Sequence, residues 1–144
     1  MGTYSLFDHT ADIGIEVRGA SLEDLLETAA RATFDQVLED WPERVETLDE
    51  VRAATIRGLE GDTGELLVVW LQELLYRFET ERWVPMTFEF GAIGRGEVRA
   101  TVGFGRFEPG RHRTRGEIKA VTYHGLDVHR EPDGAWRARF ILDV

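Results

Sequence analysis

Residues 66–78 of this 144-residue chain run Leu66-Leu67-Val68-Val69-Trp70-Leu71-Gln72-Glu73-Leu74-Leu75-Tyr76-Arg77-Phe78. Asp62 and Glu65, three apart, open the run with a capping pattern that predicts a helix start. The run is apolar around most of a helical circumference. It is too short and too interrupted by Gln72, Glu73 and Arg77 to cross a bilayer. A helix apolar on nearly all sides must be covered from more than one direction. Two sheets, one above and one below, are the simplest cover.

The rest of the sequence supplies those sheets and a second helix. Tyr4 to Phe7 predicts a short strand, and Asp8-His9-Thr10-Ala11-Asp12 a polar break. Ile13, Ile15 and Val17 then alternate with Gly14, Glu16 and Arg18, the pattern of a half-buried strand closed by Gly19. Ser21 predicts an N-cap, with Glu23 and Asp24 near the positive helix end. Leu22 to Leu38 repeats apolar residues at helical spacing and stops before Pro42. The acidic stretch Glu39 to Glu50 predicts a loop, and Val51 to Arg57 a strand ended by Gly58. Further strands are predicted over 86–90, 98–104, 118–128 and 136–143, with turns at Gly94-Arg95-Gly96, Pro109-Gly110 and Pro132-Asp133-Gly134. The expected fold is α+β: a β–α–β layered sandwich with two main helices between sheets, in one domain over 1–144.

Charge and composition narrow the function. The net charge is −10, and an acidic whole repels free nucleic acid at long range. The distribution is uneven: residues 1–94 hold 7 Arg against 20 Asp+Glu, whereas 95–144 hold 10 basic against 7 acidic residues. There is no Cys, which excludes thiolate metal sites and a Cys nucleophile. The start of the chain lacks the pattern of a secretory leader, so a cytoplasmic location is expected. Of 17 basic residues, Lys119 alone is lysine. An ammonium is a compact, tunable cation that a guanidinium does not replace.

Most catalytic constellations are absent. No Gly-Lys-Ser/Thr follows a glycine cluster, and Gly91, Gly94 and Gly96 are expected to be turn residues. The four His, at 9, 112, 124 and 129, form no HExxH zinc motif. Ser5 and Ser21 are the only serines, and neither lies in a nucleophile elbow. Arg106, Arg111, His112, Arg113 and Arg115, with Phe104 and Phe107 nearby, read either as a solvated hairpin loop or as a single-stranded RNA contact. Asp8 and Asp12 read as turn residues or as oxygen ligands for a hard cation. Asp143 and the Val144 α-carboxylate add fixed oxygens if a strand pins the chain's end. Such a carboxylate cluster repels itself unless a cation or Lys119 is near.

His9-Thr10-Ala11-Asp12-Ile13-Gly14 resembles the signature of the archease family. Trp70 to Tyr76 resembles that family's central helix, Glu117 to His124 its third block, and Leu142-Asp143-Val144 its acidic ending. Gln72, Val69 and Gly125 depart from the family's usual residues. The resemblance implies a β–α–β layered protein that is not itself an enzyme. It implies a protein cofactor that promotes GTP-dependent guanylylation of the active-site His of an RtcB-type RNA-splicing ligase and its multiple turnover in tRNA splicing and RNA repair. It implies a divalent-metal site at Asp12, Asp143 and Val144, with Ca²⁺ the expected ion and Mg²⁺ or Mn²⁺ the alternatives. It implies a functional role for Lys119, with His9 inside the motif. The tRNA would be met only through the ligase. The alternative function is an RNA-binding or chaperone-like module acting through the Arg106–Arg115 loop.

Overall fold

A computed structural model describes residues 2–9, 12–39, 48, 50–57, 62–94 and 96–144, without the side chains of residues 8, 9, 50, 51, 53, 54, 56 and 57. Most of the expected acidic loop, together with Thr10, Ala11, Gly58 and Arg95, lies outside the described residues. The elements in chain order are β1 (Thr3–His9), β2 (Asp12–Gly19), α1 (Leu22–Val37), β3 (Glu50–Arg57), α2 (Thr63–Glu81), β4 (Trp83–Gly94), β5 (Glu97–Arg106), β6 (Ala120–Arg130) and β7 (Trp136–Asp143). They form two antiparallel sheets, ordered β1-β2-β7-β6 and β3-β5-β4. Both helices touch strands of both sheets. The α+β layered sandwich expected from the all-round apolar helix is the fold observed.

Local chemistry sets the helix starts. The Ser21 hydroxyl accepts the Asp24 N–H at 3.1 Å, and the Asp62 carboxylate accepts the Glu65 N–H at 2.9 Å. Each satisfies a donor that the first turn leaves without an intrahelical partner. α2 is longer than the apolar run, and its C-cap Arg82 adopts a left-handed φ of 59°. Its carbonyl there accepts the Phe107 N–H at 2.7 Å, which ties the end of α2 to the segment after β5.

The core lies where α2 meets its covers. Trp70 is fully buried, its indole N–H donates to the Leu26 carbonyl of α1 at 2.9 Å, and its ring centroid lies 6.0 Å from Phe88 and 5.5 Å from Phe90 of β4. One side chain thus joins both helices and the three-stranded sheet.

Two expectations need correction. The polar break at Asp8 to Asp12 is largely strand: β1 runs to His9, which pairs with Asp12 at the start of β2. Backbone pairing with β2 carries β1 past its last apolar residue. Among the glycines, Gly96 takes a turn conformation with φ 76°, but Gly91 and Gly94 belong to β4. The register of β4 against β5 shifts between Phe90 and Ile93, so Gly91 sits at an irregularity within the strand.

Tyr4 fastens β1 to α1. Its hydroxyl donates to the Asp35 carboxylate. Burial first, and that hydrogen bond second, push the Tyr4 pKa up from 10.0 to about 12. The folded protein therefore keeps the phenol protonated where the unfolded chain releases its proton. The resulting stability is complete below pH 10 and is lost as the pH rises toward 12. Near-ultraviolet titration should show one late-ionising tyrosine, and Tyr4→Phe should remove that component.

Candidate functional site

The residues singled out in sequence meet at one end of the four-stranded sheet. β2 and β7 pair antiparallel, and their last ladder pair toward this end is Ile13↔Leu142. One further step of that register sets Asp12 against Asp143, and facing residues of an antiparallel pair share a sheet face. His9 pairs with Asp12 on one side, and Ala120 with Asp143 on the other. The row across the sheet is therefore His9, Asp12, Asp143, Ala120. Both aspartates are half-buried, and Val144 beyond them is exposed. The His9 side chain lies outside the described residues.

Lys119 reaches the same end from a different segment. Its backbone N–H donates to the Asp143 carbonyl at 2.8 Å, and its side chain is exposed. Lys119, Val144, Ile13, Gln36 and Arg115 help line a pocket of ≈ 490 Å³ beside the strand ends. Two strands and the segment before β6 thus bring the backbones of Asp12, Asp143, Val144 and Lys119 to one end of the sheet. Among the described residues, no three His, Asp and Glu side chains gather as a metal-holding group. The expected oxygen set draws on two side chains, and its third member is the main-chain carboxylate of Val144.

The outer face behind this row carries a stack that the sequence did not announce. Phe7 pairs with Gly14, and a Cβ on Gly14 would lie 2.3 Å from the Phe7 ring. The Arg139 guanidinium lies 3.9 Å from the centroid of that ring, a cation–π contact. Gly14 faces Ile141 of β7, which is buried. The glycine after Asp12-Ile13 thus gives Phe7 room to lie flat on the sheet. Gly14→Ala should force the ring away and cost about 1–3 kcal/mol, read as a lowered unfolding midpoint in urea. A glycine amid a strand was the available signal.

The basic loop is differently built from a stacking platform for RNA. Phe104 and Phe107 are buried in the core. His112 is buried too, with its ring centroid 5.6 Å from Phe107 and its Nδ1 accepting the Glu108 N–H at 2.8 Å. Arg111 pairs with Glu108 at 3.3 Å, and Arg115 binds carbonyls of α1. The rings meant to interleave with the arginines are spent on packing.

Of the departures from the family pattern, Gly125 has a local reason. It takes φ +67°, where the β6–β7 register breaks between Thr122 and Asp127. A glycine takes that conformation without steric cost. Gln72 donates weakly to the Val121 carbonyl at 3.5 Å, linking α2 to β6.

The Archease protein family (MTH1598/TM1083) matches residues 4–144. The chain belongs to the archease family. It is 37% identical to Protein archease of Methanopyrus kandleri, over 95% of this chain and 96% of that protein. It is 33% identical to Protein archease of Pyrococcus furiosus, over 100% of both. The solution structure of Methanobacterium thermoautotrophicum protein 1598 superimposes with a TM-score of 0.78, at 33% identity and over 98% of each chain. Within the archease blocks quoted from the sequence, the signature and the acidic ending become neighbours through the β2–β7 pairing. The third block joins them through Lys119. Among the described residues, no helix is long and apolar enough to cross a membrane.

Proposed function

We propose that this protein is a non-catalytic activator of an RtcB-type RNA-splicing ligase. It promotes GTP-dependent guanylylation of the ligase's active-site His and allows multiple turnover in tRNA splicing and RNA repair. The observation that carries the reading is the meeting of Asp12, Asp143, Val144 and Lys119 at one sheet end. Membership of the archease family supports it. So does the net charge of −10, which disfavours free RNA and suits a protein that meets tRNA through the ligase. A cytoplasmic location goes with this role.

The donor set fits a hard divalent cation: carboxylate oxygens are the ligands that Ca²⁺, Mg²⁺ and Mn²⁺ take. Asp12, Asp143 and the Val144 carboxylate would hold it, with Ca²⁺ the first choice. A bound cation supplies positive charge able to attract phosphate oxygens. The protein's own part is positional. β2 and β7 hold the two aspartates on the sheet, and the Lys119 backbone is clipped to Asp143, which fixes the backbone from which the exposed lysine projects. A lysine there meets phosphate as a compact point charge.

The direct test is guanylylation of the matching ligase by GTP with and without this protein. The reading expects a faster reaction when the protein is present. An unchanged rate would sink it.

A further inference from the structure

We infer that Arg115 is a positioning residue, fixing the backbone that carries Lys119 by capping the C-terminal end of α1. The inference rests on the reading of Lys119 as part of the functional tip. A helix end leaves carbonyls without intrahelical donors and carries partial negative charge, which a cation can answer. α1 has no basic residue in its own last turn. Arg115 supplies the cation from far along the chain. Its backbone N–H donates to the Val37 carbonyl at 2.8 Å, and its Nε donates to the Asp35 carbonyl at 2.8 Å and the Leu38 carbonyl at 3.2 Å. Its neighbours join the same contact: Thr114 bridges Leu38, and the Arg113 carbonyl accepts the Glu39 N–H at 2.9 Å.

Four residues later the Lys119 N–H meets the Asp143 carbonyl. Gly116, Glu117 and Ile118 therefore span two anchors, one on α1 and one on β7. The same three residues wall the pocket that Lys119 and Val144 share. A span this short transmits the position of one anchor to the other. Removing the Arg115 side chain leaves the backbone contacts to Val37, Leu38 and Glu39 but takes away the two bonds that cap the helix end, which loosens the first anchor and with it the backbone at Lys119. The Asp35 carboxylate, bonded to Tyr4, holds the capped end from the β1 side.

The test uses the full chain and three variants, Arg115→Ala, Arg115→Lys and Arg113→Ala. Amide hydrogen exchange of Lys119 should quicken by at least about tenfold in Arg115→Ala, while core amides of α2 keep their protection. In the guanylylation assay that variant should lower the maximal stimulation and leave the half-saturating concentration unchanged. Arg115→Lys keeps a cation at the helix end and should restore most of both effects. Arg113→Ala keeps the backbone carbonyl that Glu39 uses and should behave as wild type. Unchanged Lys119 exchange in Arg115→Ala would overturn the inference. So would a uniform loss of protection that includes α2, which would mark a merely structural role. A wild-type protein that fails to stimulate the ligase counts against the functional reading, and the exchange contrast still decides the anchoring.

Discussion

Asp143→Ala is expected to abolish most of the stimulation of the ligase while leaving the fold in place. Asp143 closes β7, and what it gives the fold is chiefly its backbone: its carbonyl accepts the Lys119 N–H, and its pairing is with Ala120. Alanine keeps both. What is lost is one of three carboxylates in the proposed cation set. Changes to groups that merely support metal ligands typically cost about 10–100-fold in affinity or activity, so loss of a ligand should cost at least about tenfold. Removing one negative charge also relieves repulsion among the remaining carboxylates. The variant without added cation should therefore unfold at the same temperature as wild type or slightly higher. Added Ca²⁺ should stabilise wild type by mass action, about 2.7 kcal/mol at a hundred times the dissociation constant, and Asp143→Ala by about 1.4 kcal/mol or less at the same concentration. Calorimetric titration and thermal unfolding, each with and without Ca²⁺, read both effects. A variant that gains as much stability from Ca²⁺ as wild type does would contradict the assignment of Asp143 to the cation set.

Trp70→Ala should have the largest effect on stability. The side chain is fully buried, packs on Phe88 and Phe90, and donates to the Leu26 carbonyl. Its removal opens a cavity where α1, α2 and the three-stranded sheet meet. Aromatic-to-alanine changes in cores cost about 3–5 kcal/mol. That is a large share of the roughly 5–15 kcal/mol that holds a domain folded. Trp70→Phe refills most of the space and loses the indole N–H. The Leu26 carbonyl sits inside α1, where the helix supplies another donor, so the loss should be well below that of alanine. Guanidinium unfolding should show a large drop in midpoint for alanine and a small one for phenylalanine. Similar drops for both would mean that the hydrogen bond, not the filled volume, matters here.

The layered architecture was legible because one segment encoded it. Leu66, Leu67, Val68, Trp70, Leu71, Leu74, Leu75 and Phe78 of α2 are all buried, and they spread over more than half of the helix circumference, while Gln72 and Tyr76 on the remaining arc are exposed. No single sheet can cover such a helix. The strands followed from alternation, as in Val98, Ala100, Val102 and Phe104, all of them buried. The extent of β1 did not follow, because Asp8 and His9 look like turn residues and enter the strand only through pairing with β2.

The site was legible only in part. Asp12 and Asp143 lie at opposite ends of the sequence, and no local pattern says that β2 and β7 are neighbours. Resemblance to a family implies the set, and the strand register sets the backbones of Asp12 and Asp143 side by side. Arg115 stayed hidden for a related reason. A missing basic residue in the last turn of α1 is visible in sequence, but the distant arginine that answers it is not. His112 was grouped with the charged residues around it, and its burial against Phe107 depends on tertiary packing. Gly14 carried a faint signal whose meaning needed the Phe7 ring above it.

The most direct test of the central claim is the number of RNA ends joined per ligase molecule with RNA and GTP in excess. With this protein present at less than one copy per ligase, joining should continue well past one event per enzyme. Without it, joining should stall near a single round. Equal yields with and without the protein would contradict the proposal that it activates the ligase.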